Sequence, residues 1–256
     1  MIKISEAFKD KKAFIAYLMA GDPDLQTSAQ YIFAAQEAGA DMIEIGIPFS
    51  DPIAEGEVIQ AASLRALLGG ARLDGVFEAV ASVKDKMRVP MVFMTYLNPV
   101  FVYGYERFFE RCAKIGVCGV IIPDLPFEEQ EEVKTPARKY GVEVVTLIAP
   151  TSLNRVELIA REAQGFIYLV SSMGVTGARA DITTDLPTIV SEIKKVTDIP
   201  VAIGFGISTP EQARHYASFS DAVIVGSAIV SIVGRLGSNA AKELSEYIKA
   251  MKSAMA

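Results

Sequence analysis

Three carboxylates stand within or just after one apolar segment, IEIGIPFSDPIAEG at residues 43–56. Glu44 lies inside a β-branched run typical of a strand covered on both faces, where an unpaired charge costs several kcal/mol or stays protonated. Glu55 follows in the next loop and can face Glu44 from there, although an acidic residue just before the helical pattern at 58–70 would also interact well with the helix dipole. Burial raises the pKa of a carboxyl group toward the range useful for proton transfer, and two carboxyls in unlike surroundings can divide acid and base roles. The pair predicts acid–base catalysis.

The other residue types that often carry chemistry are scarce. The chain has one histidine, His215, in a pattern typical of an exposed helix position. Its two cysteines, Cys112 and Cys118, form no metal-binding or redox motif and are predicted to be buried free thiols. A histidine-rich metal site is therefore excluded, and we predict no metal. Proton transfer is left to the carboxylates.

Charge and hydropathy narrow the class of protein further. The net charge of −6, with no cluster of Lys and Arg, argues against binding to a nucleic-acid backbone. The first twelve residues, MIKISEAFKDKK, lack the apolar core of a signal peptide, and no apolar stretch reaches the roughly 18–20 residues of a membrane span. We expect a soluble, cytoplasmic protein.

Short β-branched runs alternate with amphipathic helical patterns along the whole chain. Helical patterns fill 27–40, 58–70 and 186–196, and no linker separates two halves. A doubly wound sheet more often has five to seven strands and GxGxxG after the first, where this chain has MAGDPDL. We therefore predict an α/β fold, a single (β/α)8 TIM-barrel domain over residues 1–256, with its site at the carboxyl ends of the strands. The eight predicted strands lie near 13–21, 41–48, 89–96, 119–124, 143–150, 165–172, 200–207 and 221–228.

Glycine-rich turns follow the seventh and eighth predicted strands, GFG at 204–206 and GS at 226–227. Many barrels bind phosphate at this corner, because glycines let the backbone approach and a helix from Ser227 onward would present free N–H groups. Alternatively, these glycines serve only tight turns. The segment 171–185, SSMGVTGARADITTD, reads either as a lid whose Gly177 adds another phosphate contact or as an ordinary loop.

Seven motifs together give the chain a family resemblance. Besides the segment at 43–56, they are AGDP at 20–23, MTYLNPVF at 94–101, PDLP at 123–126, YLVSSMGVTGA at 168–178, GFGIS at 204–208 and VGSAIV at 225–230. In their order along the chain, and over essentially its whole length, these motifs resemble those of the α subunits of tryptophan synthase. The resemblance implies a lyase that cleaves indole-3-glycerol phosphate to indole and glyceraldehyde 3-phosphate, a retro-aldol reaction that needs no metal or organic cofactor.

The resemblance also assigns roles to the two carboxylates. Glu44 matches the family's strand glutamate, which does the acid–base work at indole C3 and at the side-chain hydroxyl. Glu55 matches the carboxylate that binds the indole N–H, a position where aspartate is more usual. The additional methylene moves the carboxylate by roughly 1 Å, and misplacement on that scale can cost about 100-fold in rate. Glu57, where proline is common, suits the first turn of a helix.

Further site residues are implied by position. Thr176 matches the lid residue that closes over the substrate. The implied indole-pocket residues are Tyr17, Met94, Tyr96, Ile121 and Phe205, although core packing also explains Tyr17 and Met94. Tyr168 is implied as a further substrate-binding residue that borders the Glu44 end of the site. The implied phosphate contacts are Gly177, Gly206, Gly226 and Ser227.

A protein partner is implied as well. The family resemblance points to a pyridoxal-phosphate-dependent β subunit that receives indole through a tunnel in an αββα complex, with no pyridoxal phosphate on the α subunit. Asp51 and Pro52 match the loop that faces β, although Asp51 can also be a simple turn residue.

Alternative functions remain open at this stage. Because position 55 has glutamate instead of the more usual aspartate, the chain can be a catalytically weakened subunit that mainly activates β. A second alternative is a stand-alone indole-releasing lyase, as some relatives are. Other phosphate-binding barrels of the same pathway, an isomerase or indole-glycerol phosphate synthase, are more distant, since none of the eight predicted strands carries the lysine that the synthase uses.

Overall fold

The computed structural model describes residues 1–149, 155–170, 185–204 and 206–255. Eight strands form a closed barrel in chain order, and every neighbouring pair is parallel. This confirms the predicted (β/α)8 barrel. The strands are β1 Ala13–Met19, β2 Met42–Gly46, β3 Met91–Met94, β4 Val117–Ile121, β5 Glu143–Ile148, β6 Ile167–Val170, β7 Val201–Gly204 and β8 Ala222–Val225.

The helices follow the strands and cover the outside of the barrel. Those of the described residues are α1 Leu25–Glu37, α2 Glu57–Leu68, α3 Leu73–Val83, α4 Leu97–Tyr103, α5 Tyr105–Ile115, α6 Gln130–Lys139, α7 Val156–Arg161, α8 Leu186–Lys194, α9 Pro210–Ala217, α10 Ser227–Leu236 and α11 Ala241–Ser253. None of these helices combines the length and apolarity that crossing a membrane would require.

Helix boundaries follow from local chemistry. The Asp24 carboxylate accepts a hydrogen bond from the Thr27 amide at 2.7 Å and caps the start of α1. Glycine ends α2 at position 69, and Gly70 beyond it has a φ of +86°, which glycine adopts without strain. Glu57 lies in the first turn of α2, where a carboxylate interacts well with the helix dipole. The three helical patterns named from sequence are confirmed as α1, α2 and α8.

Two hydrophobic clusters form the core, one on each face of the sheet. Along β1, Phe14, Ala16 and Leu18 join the cluster between sheet and helices, whereas Ile15 and Tyr17 join the cluster inside the barrel. The same period of two applies along the other strands. It places Met42 of β2 inside the barrel and its neighbours Ile43 and Ile45 outside.

Most strands are shorter than the apolar runs that predicted them, because the ladder stops where the chain turns into the loops. The fourth strand differs at both ends, starting at Val117 and ending at Ile121 instead of spanning 119–124. Gly119 interrupts its apolar signal, yet a Cβ there would lie 2.7 Å from the Cδ1 atom of Ile4. The short 3-10 helix Ile4–Phe8 thus fills the space that the glycine leaves inside the barrel.

The cysteines and the histidine have the surroundings predicted from sequence. Cys112 and Cys118 are free and buried. His215 is exposed on α9.

Candidate active site

Glu44 lies on the inner face of β2 and is almost completely buried, with 1% of its surface exposed. Burial, and secondly the charge of Glu55, raise the pKa of Glu44 to about 8. One carboxyl oxygen, Oε2, has no hydrogen-bond partner among the described residues. At neutral pH this carboxyl group is mostly protonated, and it can give up its proton near the operating pH.

Glu55 comes from the loop between β2 and α2, and only 5% of its surface is exposed. Burial raises its pKa to about 7. The Gln60 side-chain amide donates to the Glu55 carbonyl at 2.7 Å, and the Tyr96 hydroxyl accepts a hydrogen bond from the neighbouring Ala54 amide at 3.0 Å. These two contacts fix the backbone on both sides of the Glu55 Cα atom.

The start of the same loop is fastened to α2. The Ser63 hydroxyl accepts from the Phe49 amide at 2.8 Å and donates to the Phe49 carbonyl at 2.9 Å. The segment that carries Glu55 is therefore tied to its helix at both ends, which limits where the carboxylate can point.

A cavity at the carboxyl end of the barrel brings the two glutamates together. Its apolar wall contains Tyr17, Met94 and Tyr168, as predicted from the sequence, and also Ile59 and Ile224, which the sequence reasoning missed. Large apolar side chains beside a few polar groups suit a flat aromatic ligand. The complete set of lining residues is Tyr17, Glu44, Glu55, Ile59, Met94, Tyr168, Gly206, Ile207, Ser208, Ile224, Gly226, Ser227 and Ala228.

Two glycines shape this wall through contacts with tyrosines that the sequence did not predict. A Cβ at Gly46, the last residue of β2, would lie 2.1 Å from the Tyr17 hydroxyl oxygen and 2.7 Å from its Cζ. A Cβ at Gly204, the last residue of β7, would lie 2.5 Å from the Tyr168 hydroxyl oxygen. Each tyrosine therefore extends over a strand end that has no side chain.

We expect Gly46→Ala to lower the free energy of unfolding by about 1–3 kcal/mol, because the Cβ overlaps the Tyr17 ring and forces it to move. Urea denaturation measures this loss. In a double-mutant cycle with Tyr17→Leu, which removes the overlapping atoms, the two losses should not add, with a coupling of about 1 kcal/mol or more. Additive losses would mean that Gly46 matters for another reason.

The predicted phosphate corner lies at the other end of the cavity. Gly206 has a φ of +81°, and α10 begins at Ser227 directly after Gly226. The first backbone hydrogen bond of α10 runs from the Val230 amide to the Gly226 carbonyl, so the amides of residues 227–229 have no acceptor within the helix. Ser227 and Ala228, at this helix start, are among the residues that line the cavity. A helix N-terminus of this kind suits an anion.

The loop after β7 is held by the start of α9. Thr209 and Gln212 form a capping box, and the Gln212 side-chain oxygen accepts from the Ser208 amide at 2.8 Å. The turn that includes Gly206 is therefore fixed against a helix end.

The structure places the remaining predicted residues as follows. Tyr96 and Ile121 are buried but do not line the cavity, and Tyr96 instead supports the loop before Glu55. Asp51 is exposed and Pro52 half-buried on the rim of that loop. Thr176, Gly177 and Phe205 lie outside the described residues, and so does the predicted lid apart from Asp185, which caps α8. The roles of all these residues stay predictions.

Metal-ligand clusters are absent from the part of the chain that the structure describes. No three or more of its His, Cys, Asp and Glu side chains come together in a way that could hold a metal ion. The described site consists of two carboxyl groups, an apolar wall and a helix N-terminus. Such an arrangement can bind an aromatic phosphate ester and move protons on it.

Comparisons with known proteins identify the family of this chain. A family model described as tryptophan synthase alpha chain matches residues 5–256. The tryptophan synthase alpha chain of Lacticaseibacillus casei is 48% identical over 255 residues, covering 100% of this chain and 96% of the relative. That of Lactiplantibacillus plantarum is 46% identical over 256 residues, covering 100% and 97%.

Solved structures lead to the same family. A structure of Mycobacterium tuberculosis tryptophan synthase superposes with a TM-score of 0.90 at 33% identity, covering 98% of this chain and 97% of that one. A structure of the tryptophan synthase a2b2 complex from Pyrococcus furiosus has a TM-score of 0.87 at 37% identity, covering 94% and 98%. The chain belongs to the tryptophan synthase alpha chain family and is a lyase that cleaves indole-3-glycerol phosphate to indole and glyceraldehyde 3-phosphate.

Proposed function

We propose that Glu44 and Glu55 carry out the cleavage of indole-3-glycerol phosphate as an acid–base pair with separate roles. The observation that carries this proposal is the pair of buried carboxyl groups facing one apolar cavity, with pKa values raised to about 8 and about 7. Between these values Glu44 holds its proton while Glu55 is ionised. The sequence of steps uses both states.

In the first step, Glu44 donates its proton to C3 of the indole ring. The ring nitrogen becomes positively charged, and the Glu55 carboxylate accepts a hydrogen bond from its N–H and stabilises that charge. Glu44 is then a carboxylate in surroundings that favour its neutral form.

In the second step, the Glu44 carboxylate takes the proton from the hydroxyl on the side-chain carbon attached to C3. The carbonyl of glyceraldehyde 3-phosphate forms, and the carbon–carbon bond breaks. Its electron pair returns to the ring and neutralises the nitrogen, so indole leaves. Glu44 is protonated again, and the site is ready for the next substrate.

Binding is divided between the two ends of the cavity. The phosphate lies against the amides at Gly206, Gly226 and Ser227, with Gly177 as a further predicted contact. The indole lies against the apolar wall, with Tyr17, Met94 and Tyr168 in van der Waals contact. Tyr96 and Ile121 act from behind this wall, and Thr176 and Phe205 complete the predicted pocket.

The chain acts with a β subunit in an αββα complex that holds pyridoxal phosphate on β, in the cytoplasm. The Pyrococcus furiosus relative forms an a2b2 complex, which supports this proposal. The rim beside Asp51 and Pro52 also carries exposed apolar side chains, Ile53 at 72% and Leu64 at 57%. Apolar surface on this scale beside the site suits a protein partner.

Indole release from indole-3-glycerol phosphate tests the proposal. The purified chain should release indole slowly alone and much faster when a β subunit from a relative is added. Fast release without β would instead identify a stand-alone lyase. No release in either condition, with β still activated on serine, would identify a subunit that kept regulation and lost the chemistry.

A further inference from the structure

The Tyr17 hydroxyl is a buried polar group without a hydrogen-bond partner among the described residues. Tyr17 is 4% exposed and lines the same cavity as the two glutamates. Burying a hydroxyl without a partner costs roughly 1–3 kcal/mol, and buried polar groups in folded proteins are nearly always paired. Packing alone would be served as well by phenylalanine, so the hydroxyl points to a ligand.

The position of this hydroxyl is fixed at both ends of the ring. A Cβ at Gly226 would meet the Tyr17 Cβ at 3.4 Å, whereas a Cβ at Gly46 would lie 2.1 Å from the hydroxyl oxygen. Tyr17 therefore reaches from the phosphate end of the cavity to the end of β2. Its partner in the strand register is Glu44, two residues before Gly46 on the same inner face.

A second unpartnered atom, Oε2, belongs to Glu44, which lines the same cavity. The Tyr17 hydroxyl stays a donor, because burial and then the charges of Glu55 and Glu44 raise the pKa of Tyr17 well above its usual value. An alcohol hydroxyl on a ligand would satisfy both atoms, since it can accept from a phenol and donate to a carboxylate.

We propose that Tyr17 donates a hydrogen bond to the oxygen of the reacting side-chain hydroxyl, the group whose proton Glu44 removes. This role rests on the proposed function and adds a third catalytic residue to it. As the O–H proton moves to Glu44, negative charge grows on that oxygen, and a donor already in place stabilises it without reorganisation. Tyr17 keeps its own proton throughout, and the oxygen leaves as the aldehyde carbonyl.

The test is Tyr17→Phe, which keeps the ring and deletes only the hydroxyl. We expect kcat for indole release to fall about 10- to 100-fold, somewhat less than the loss seen when a full oxyanion donor is removed. The Kd of an indolyl-propyl phosphate, which lacks both side-chain hydroxyls, should change less than about twofold. The melting temperature should not fall, because the deleted hydroxyl has no protein partner to lose.

Tyr31→Phe is the matched control. Its hydroxyl donates to the Gly237 carbonyl at 2.6 Å and accepts from the Ala240 amide, far from the cavity, so the variant should lose stability and keep kcat. A Tyr17→Phe kcat within twofold of wild type would overturn the proposal. Equal weakening of the hydroxyl-free analogue would also overturn it, because that result indicates packing. Failure of the wild type to release indole would count against the proposed function instead.

Discussion

The Glu44→Gln variant is expected to fold like the wild type and to release indole at least about 1000-fold more slowly. Glutamine keeps the shape of the side chain but can neither protonate indole C3 nor accept the hydroxyl proton, and a positioned acid–base group contributes about 10²–10⁴ in rate. Because one residue serves both steps, the expected loss lies at the upper end of that range. Single-turnover assays with the β subunit present measure it.

A glutamate elsewhere in the barrel provides the control. Glu143 begins β5 at the opposite end of the barrel, and burial raises its pKa also. Glu143→Gln should leave indole release unchanged. Residual activity above about a tenth of wild type in Glu44→Gln would remove Glu44 from the mechanism.

The raised pKa of Glu44 determines how the free energy of unfolding should change with pH. A carboxyl group whose pKa is higher in the folded state contributes stability that is fully present below its unfolded pKa and lost as pH rises through its folded value. For Glu44 that loss extends from about 4.5 to about 8. Glutamine does not titrate, so the free energy of unfolding of Glu44→Gln should rise relative to that of wild type as pH rises across this window. A variant that behaves in this way is folded, and its inactivity is then not caused by unfolding.

The barrel could be predicted because its signal is local. Buried parallel strands have short β-branched sequences, and helices have residues that mark their ends. Asp24 marks the start of α1, and Gly69 marks the end of α2. Strand ends were less predictable. Where the ladder stops depends on the neighbouring strand and on groups such as Ile4, which come from distant parts of the chain.

The same distinction applies to the site. Glu44 could be singled out because a charge inside an apolar strand is anomalous in the sequence itself. The contacts of Gly46 and Gly204 with tyrosines could not be predicted, because they depend on which side chain lies opposite each strand end in the closed barrel. Ile59 and Ile224 read as ordinary core residues for the same reason, and only the closed barrel brings them to the cavity.

The raised pKa values of the two glutamates also predict how activity depends on pH. In wild type, activity should rise with pH through about 7 as Glu55 ionises and fall through about 8 as Glu44 loses its proton. The two limbs report macroscopic values of the pair. Removing the charge of Glu55 should change both limbs.

Glu55→Gln is expected to lower kcat about 100-fold, because the ring nitrogen loses the carboxylate that stabilises its positive charge. The acid limb near pH 7 should disappear, since glutamine does not titrate. The basic limb should move below about 8, because the charge of Glu55 helps to raise the pKa of Glu44, yet stay above 4.5, because burial is the larger cause.

Glu57→Gln, exposed in the first turn of α2, is the control and should leave both limbs in place. Glu55→Asp should change turnover only a few-fold, and a large rise would identify a wild-type subunit weakened by its longer side chain. An acid limb that persists in Glu55→Gln would show that another group titrates there and that Glu55 is not the ionised partner.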